Sequence, residues 1–197
     1  AQDHIWGVVR GVGLSNDGRA GGFLAPSAEG QTRALRQAYA SAGVSADRVS
    51  LLECHATGTR VGDSTELASA VRVFGDNHDL PIGSLKSNLG HLITAAGVGG
   101  IIKVVQAMQA ELRPASLHVD RPAKALSGSP FRVLTESEPW PVTDERIAGV
   151  SAFGFGGNNA HVVISDYRES GATVSTQGMA PLSVEPLAIT GLAVLYG

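Results

Sequence analysis

The stretch Glu53-Cys54-His55-Ala56-Thr57-Gly58-Thr59-Arg60-Val61-Gly62-Asp63 constrains the fold more than any other. Before it, Val49-Ser50-Leu51-Leu52 reads as a short buried strand. After it, Asp63 with Glu66 three residues on reads as a capping-box-like helix start. A histidine therefore sits on a tight strand-to-helix loop, where sites are commonly built. The glycines free the backbone to turn, and His55, Thr57 and Thr59 occupy alternate positions that face one cavity if the segment is extended. One histidine on such a loop is more often structural than catalytic. Two later segments change that weighing: Lys86-Ser87-Asn88-Leu89-Gly90-His91 and Ala152-Phe153-Gly154-Phe155-Gly156-Gly157-Asn158-Asn159-Ala160-His161. Each is a polar, glycine-bearing loop at the end of an expected strand.

Elsewhere the pattern alternates. Ile5 to Leu14 has strand composition broken by glycines, which predicts a twisted or bulged strand with close backbone neighbours, and Ser15 to Gly18 follows as a turn. The glycines of this region lack the Gly-x-Gly-x-x-Gly spacing of a dinucleotide site. Residues 28–42 place Leu35, Ala38, Tyr39 and Ala42 on one helical stripe, stopped by Gly43; from Asp63 a second stripe runs through Leu67, Ala70, Val71 and Phe74 to Gly75. Leu80 to Leu85 reads as a strand, and His91 to about Glu111 as a long helix. Gly97, Gly99 and Gly100 each cost roughly 1 kcal/mol inside such a helix, so it is expected to be central and closely packed. After Pro114 and Pro122, Phe131 to Leu134 is a candidate strand, and Ile147 to Phe155 with Ala160 to Ser165 form a hairpin around the glycine-rich turn. The result is an α/β chain with a mixed sheet.

A length of 197 residues with 43% hydrophobic content suits one globular domain with a sizeable core. The net charge of -3, with both signs scattered, leaves no basic stripe for nucleic acid or an anionic membrane. The longest apolar stretch, Leu92 to Val105, is interrupted by Lys103 and is shorter than the roughly 20 residues of a membrane span. A single cysteine excludes an intrachain disulfide and fits a reducing cytoplasm. The chain starts without methionine or a signal-like leader and reads as an excerpt of a longer polypeptide.

Taken in order and at these separations, the three loop motifs resemble the C-terminal half of a beta-ketoacyl synthase, the condensing enzyme of fatty acid and polyketide synthesis. The resemblance covers residues 1–166. It implies a thiolase-like fold in which this chain is the C-terminal half of a layered α/β/α/β/α structure. By that resemblance His55 and His91 donate imidazole N–H groups to an enolate oxygen, and the Phe155 amide donates to an oxyanion while its ring flanks the acyl channel. Phe153, Gly154 and Gly156 belong to the same substrate loop. Lys86 is held by the carboxylate of Glu66, and the Thr57 and Thr59 hydroxyls bind the phosphopantetheine arm of an acyl carrier protein. The structural alternative for these last four residues is an ion pair between loops and two turn-stabilising threonines. The implied partners are the N-terminal half, which carries the nucleophilic cysteine, an acyl carrier protein, and a homodimer or chain-length-factor-like pairing; no metal or redox cofactor is implied. Ala56, where the family commonly has glycine, and Asn158, where threonine is usual, point toward the multidomain polyketide and polyunsaturated-fatty-acid synthases.

Cys54 neighbours His55, but adjacent residues of an extended segment face opposite ways, so it is expected to turn to the core and be inert. His55, His91, His161 and Cys54 lack the short paired spacing of a zinc site, and His161 is expected to be a structural hydrogen-bonding residue. His4, His78 and His118 are assigned no role. A non-catalytic partner that shapes the acyl tunnel has no reason to hold two histidines on these loops, and a thiolase usually offers a second cysteine near the C-terminal loop. Residues 167–185 read as a linker, and 186–197 as the first strand of a following condensing-enzyme-like domain. With half of a shared core missing, the isolated chain is expected to be insoluble or molten, and a cooperative thermal transition in isolation would contradict that.

Overall fold

Glycines at two strand positions set the closest contact in the fold. The computed structural model describes residues 4–18, 25–141, 144–167 and, for backbone only, 188–189. Strand β1 (Gly7–Asn16) lies against helix α1 (Ala28–Ala42). A Cβ on Gly13 would stand 1.9 Å from the Ala34 carbonyl oxygen, and one on Gly11 2.4 Å from that of Ala38. Backbone therefore rides on backbone, as the glycine-broken strand predicts, and the register shifts between Val9 and Gly11. The strand runs on through Ser15 and Asn16, residues expected in the turn.

The remaining elements are β2 (Leu51–Glu53), α2 (Arg60–Phe74), β3 (Leu80–Gly83), α3 (Lys86–Leu89), α4 (Ala96–Gln109), β4 (Leu112–Arg113), β5 (Phe131–Val133), β6 (Glu138–Pro139), β7 (Ile147–Phe153), β8 (Asn158–Ser165) and β9 (Ala188–Ile189). Among the described residues seven strands form one mixed sheet in the order β5-β3-β2-β7-β8-β1-β9. From β5 to β7 neighbours are parallel; from β7 onward they are antiparallel. The expected hairpin is β7–β8. Successive residues of the strands serve opposite faces: Leu52, Ile147 and Val163 pack with α1 and α2, while Leu51, Ala148 and Ile164 pack with α4. That alternation makes three layers, helix on sheet on helix. No helix among the described residues is long and apolar enough to cross a membrane.

Helix boundaries differ from expectation where loop chemistry intervenes. α2 starts at Arg60 rather than Asp63, because the Thr59 hydroxyl accepts the Gly62 N–H and is the N-cap. Leu67, Ala70 and Phe74 of its stripe are buried, but Val71 is 41% exposed. The long helix expected from His91 begins only at Ala96. Before it come the short α3, a left-handed Gly90 and a 3-10 turn at Ile93–Ala95. In α4 a Cβ on Gly100 would meet Val150 Cγ1 at 3.0 Å and Glu53 Cγ at 3.1 Å, so this glycine brings the helix down onto the sheet. The expected linker lies, from residue 168 on, outside the described residues. Of the stretch expected to open a following domain, Ala188–Ile189 pairs with Val8 and Gly7 at the edge of this sheet, and the rest lies outside them.

The close contact gives a direct test. Gly13→Ala forces a methyl into the α1 backbone and is expected to cost about 3 kcal/mol. Gly97→Ala, whose Cβ would find ordinary contact 3.4 Å from Ala152 Cβ, is expected to be neutral or to stabilise by about 0.5 kcal/mol. Denaturant unfolding of the protein carrying each change checks both, and equal midpoints would contradict the packing.

Candidate active site

The adjacent parallel strands β3, β2 and β7 end at one edge of the sheet, so the loops that leave their C-terminal ends converge there. Those loops carry the three motifs. The His55 and His91 rings come together with centroids 5.6 Å apart at 83°, and Phe153, at the end of β7, lies 5.9 Å from His55.

His91 has a defined donor. Its Nδ1 accepts the Ile93 N–H at 3.0 Å, which places the ring proton of the neutral imidazole on Nε2. Ile93 takes φ 52°, a left-handed conformation that a β-branched residue rarely adopts, and the turn that makes this bond contains it. His55 is half-buried, and its Nδ1 is buried with no partner among the described residues. Burial lowers its imidazole to about 4, helped by the positive Lys86 and by His91, so the ring is neutral at pH 7.

Glu66 works differently from expectation. It does not pair with Lys86. Its carboxylate oxygens accept the backbone N–H groups of His55 at 2.7 Å and Ala56 at 2.8 Å, holding the loop from beneath. Both oxygens are thereby engaged, and the Lys86 ammonium makes no hydrogen bond or ion pair among the described residues; it acts on His55 through its charge alone. Burial lowers the Lys86 ammonium, against the pull of Glu53 and Glu66. Burial raises the Glu66 carboxyl to about 7, against the two amides that lower it. The two shifts act in opposite directions on stability. Glu66 withdraws stability as pH rises from about 4.5 to about 7, and His55 withdraws it as pH falls from about 6.5 to about 4.

The buried ion pair that the site does contain was not anticipated. Glu53 Oε2 meets Lys103 Nζ at 2.7 Å, with the side chains 3% and 8% exposed. Glu53 Oε1 accepts the Leu85 N–H at 2.6 Å. The signal was present in the sequence as the lone charge in an apolar helix, since a buried lysine requires an acidic partner.

Thr59 and Thr57 are exposed, their hydroxyls 3.3 Å apart, and that of Thr59 is engaged in capping α2. The segment is not extended, because Ala56 and Gly58 take positive φ of 30° and 78°. The glycine turn is pinned at its base: Asp17 N–H donates to the Gly157 carbonyl, and Asn159 Nδ2 donates to Asp17 Oδ1 at 2.6 Å. The Gly154 N–H is used by the Asn158 carbonyl, and Gly156 takes φ 80°. The Phe155 N–H has no acceptor among the described residues, and the residue is 84% exposed. Phe153 is the aromatic ring that meets a histidine.

Cys54 packs against the core, and burial, then Glu66 and Glu53, push its thiol well up, which makes it a poor nucleophile. His161 is buried between Ser151 Oγ at 2.9 Å and Tyr39 OH at 3.1 Å, its imidazole lowered by burial to about 3. That serine and histidine cannot form a charged pair at neutral pH, and the role is structural as expected. A mainly apolar cavity of about 260 Å³ lies behind the loop, lined by Cys54, Ala56, Glu66 and Phe131 but by neither His55 nor His91. Among the described residues no three His, Cys, Asp or Glu side chains are grouped to hold a metal ion.

Ala56 at φ 30° explains why glycine suits this position. An L-residue in the left-handed region costs about 1–2 kcal/mol, partly offset by the roughly 0.4–1 kcal/mol of unfolded-state entropy that glycine adds. Ala56→Gly is therefore expected to raise the denaturation midpoint with activity retained, and a lowered midpoint would contradict the strain.

Known proteins resemble this chain over most of its length. Residues 6–120 match the family described as "Beta-ketoacyl synthase, C-terminal domain", and 121–187 match "Ketoacyl-synthetase C-terminal extension". Polyketide synthase GfsB of Streptomyces halstedii is 44% identical over 90% of this chain and 3% of its own length. The pikromycin polyketide synthase component PikAII of Streptomyces venezuelae is 43% identical over 82% of the chain and 5% of its length. The ketosynthase from module 6 of the bacillaene synthase of Bacillus subtilis 168 superposes with a TM-score of 0.80 at 39% identity, covering 84% of this chain and 31% of that one. The chain thus spans a small part of these synthases and about a third of a solved ketosynthase. Its mixed sheet between helices is the thiolase-like α/β fold, and the chain belongs to the beta-ketoacyl synthase family, matching that family's C-terminal domain and extension.

Proposed function

We propose that this chain supplies the enolate-stabilising half of a beta-ketoacyl synthase in a modular polyketide synthase. The observation that carries the reading is the pair of imidazoles, ring centroids 5.6 Å apart, on the loops that leave adjacent parallel strands, one with its proton on Nε2 and the other kept neutral by burial. In the reaction, the bond between the carboxylate and the α-carbon of a malonyl thioester breaks and carbon dioxide leaves. The electron pair moves onto the thioester oxygen. Neutral N–H donors aimed at that oxygen stabilise the enolate without becoming fixed charges that would hold the starting carboxylate. The α-carbon then attacks an acyl thioester carried on a cysteine of the N-terminal half, forming a carbon–carbon bond and releasing the cysteine thiolate.

The Phe155 N–H, free of any acceptor among the described residues, suits an oxyanion donor for that acyl step. Thr57 and Thr59 stand at the exposed rim, where a phosphopantetheine arm from an acyl carrier protein would pass. Lys86 and Glu66 act on His55, the one through charge and the other through its backbone. The reading implies a cytoplasmic acyltransferase that works as a homodimer with its N-terminal half in place, and that needs no metal or redox cofactor because decarboxylation itself supplies the carbanion.

The test is carbon dioxide release from malonyl-carrier protein by the ketosynthase containing this segment. His55→Ala and His91→Ala are each expected to reduce release by about 10²–10³-fold. A wild type that releases nothing, or a variant that matches it, would favour a non-catalytic partner that shapes the acyl tunnel.

A further inference from the structure

Beneath the two histidines, three chain segments meet on one side chain. Glu53 ends β2, two residues before His55. Its Oε1 accepts the N–H of Leu85, the residue immediately before the loop that leads through Lys86 to His91. Its Oε2 is bound to Lys103 of α4, the helix that follows His91. Gly100 permits this, since a Cβ there would press on Glu53 Cγ at 3.1 Å. Leaving the carboxylate and the ammonium of an ion pair in a nearly dry interior is costly, and an apolar pair of similar volume is often as stable. Stability alone is therefore a weak reason for it. What it does is tie both histidine-bearing loops to one rigid group.

We infer that Glu53 and Lys103 form a positioning pair that sets the separation of His55 and His91: Lys103 orients the carboxylate, and the carboxylate holds the His91 loop through Leu85 N–H. The inference rests on the condensing function proposed above. Neither residue touches the reacting atoms. Burial raises the Glu53 carboxyl, and Lys103 and the Leu85 amide oppose that rise, so the pair and the amide sustain the charged form together. Loss of the Leu85 acceptor frees the start of the His91 loop while leaving Glu66, and so the His55 loop, in place. The step that needs both imidazoles at once is decarboxylation. Loading of the acyl group onto the cysteine of the N-terminal half does not.

The test uses the whole ketosynthase and two double variants without either charge. Glu53→Gln/Lys103→Met retains an oxygen for Leu85 N–H; Glu53→Met/Lys103→Met does not. Each is assayed below the lower of the two thermal transitions for carbon dioxide release from malonyl-carrier protein and for acylation by an acyl thioester. The methionine pair is expected to lose roughly 10- to 100-fold in kcat for decarboxylation, with KM and acylation within about twofold of wild type, and the glutamine variant is expected to recover most of the loss. Equal decarboxylation by the two variants overturns the positioning role. Should the methionine pair not fold, Leu85→Pro removes the same N–H while keeping both charged side chains, at a residue whose φ of -59° suits proline. It is expected to show the same selective loss, and wild-type decarboxylation by Leu85→Pro overturns the inference. A wild type that releases no carbon dioxide overturns the condensing reading itself, which is a separate failure.

Discussion

Two buried carboxylates that accept backbone N–H groups hold the site together. Glu66 takes the amides of His55 and Ala56, and Glu53 takes that of Leu85 while paired with Lys103. A loop held through its backbone keeps its side chains free to face a substrate. That arrangement lets two histidines sit within 5.6 Å of each other without either being consumed in an ion pair. Buried hydrogen bonds of this kind are costly to lose.

The fold delivers these loops to one place through strand order. β3, β2 and β7 are neighbours and parallel, so their exits share an edge, and the antiparallel return through β8 brings the glycine turn back under Asp17 and Asn159. Close backbone contact between β1 and α1, made by Gly11 and Gly13, fixes the face opposite α4. The candidate site residues stand on short turns, but each turn is anchored to a strand end or to a buried polar group.

Much of this was legible in the sequence. The helix at 28–42, the glycine-rich strand before it and the final hairpin follow from periodicity and from residues with special backbone freedom. The three motifs identified the histidines and the family. What could not be read was which polar groups pair, because pairing is decided by tertiary proximity rather than by spacing. Glu66 was expected to hold Lys86 and instead holds the His55 backbone; Lys103 looked only like an interruption of an apolar run, although its burial demands Glu53. The helix expected from His91 failed because His91 itself captures the Ile93 N–H and breaks the turn. Thr59 hid the true start of α2 by serving as its cap.

The central claim is that both imidazoles act as neutral N–H donors. It is tested most directly by following the His55 ring through a pH titration of the whole ketosynthase with isotope-labelled histidine, read by nuclear magnetic resonance. The account predicts a ring that stays neutral well below the ordinary value of 6.5 and protonates at about 4. A His55 imidazole that takes up its proton near 6.5 would be substantially charged in mildly acidic solution, and would contradict the neutral donor on which the proposed chemistry depends.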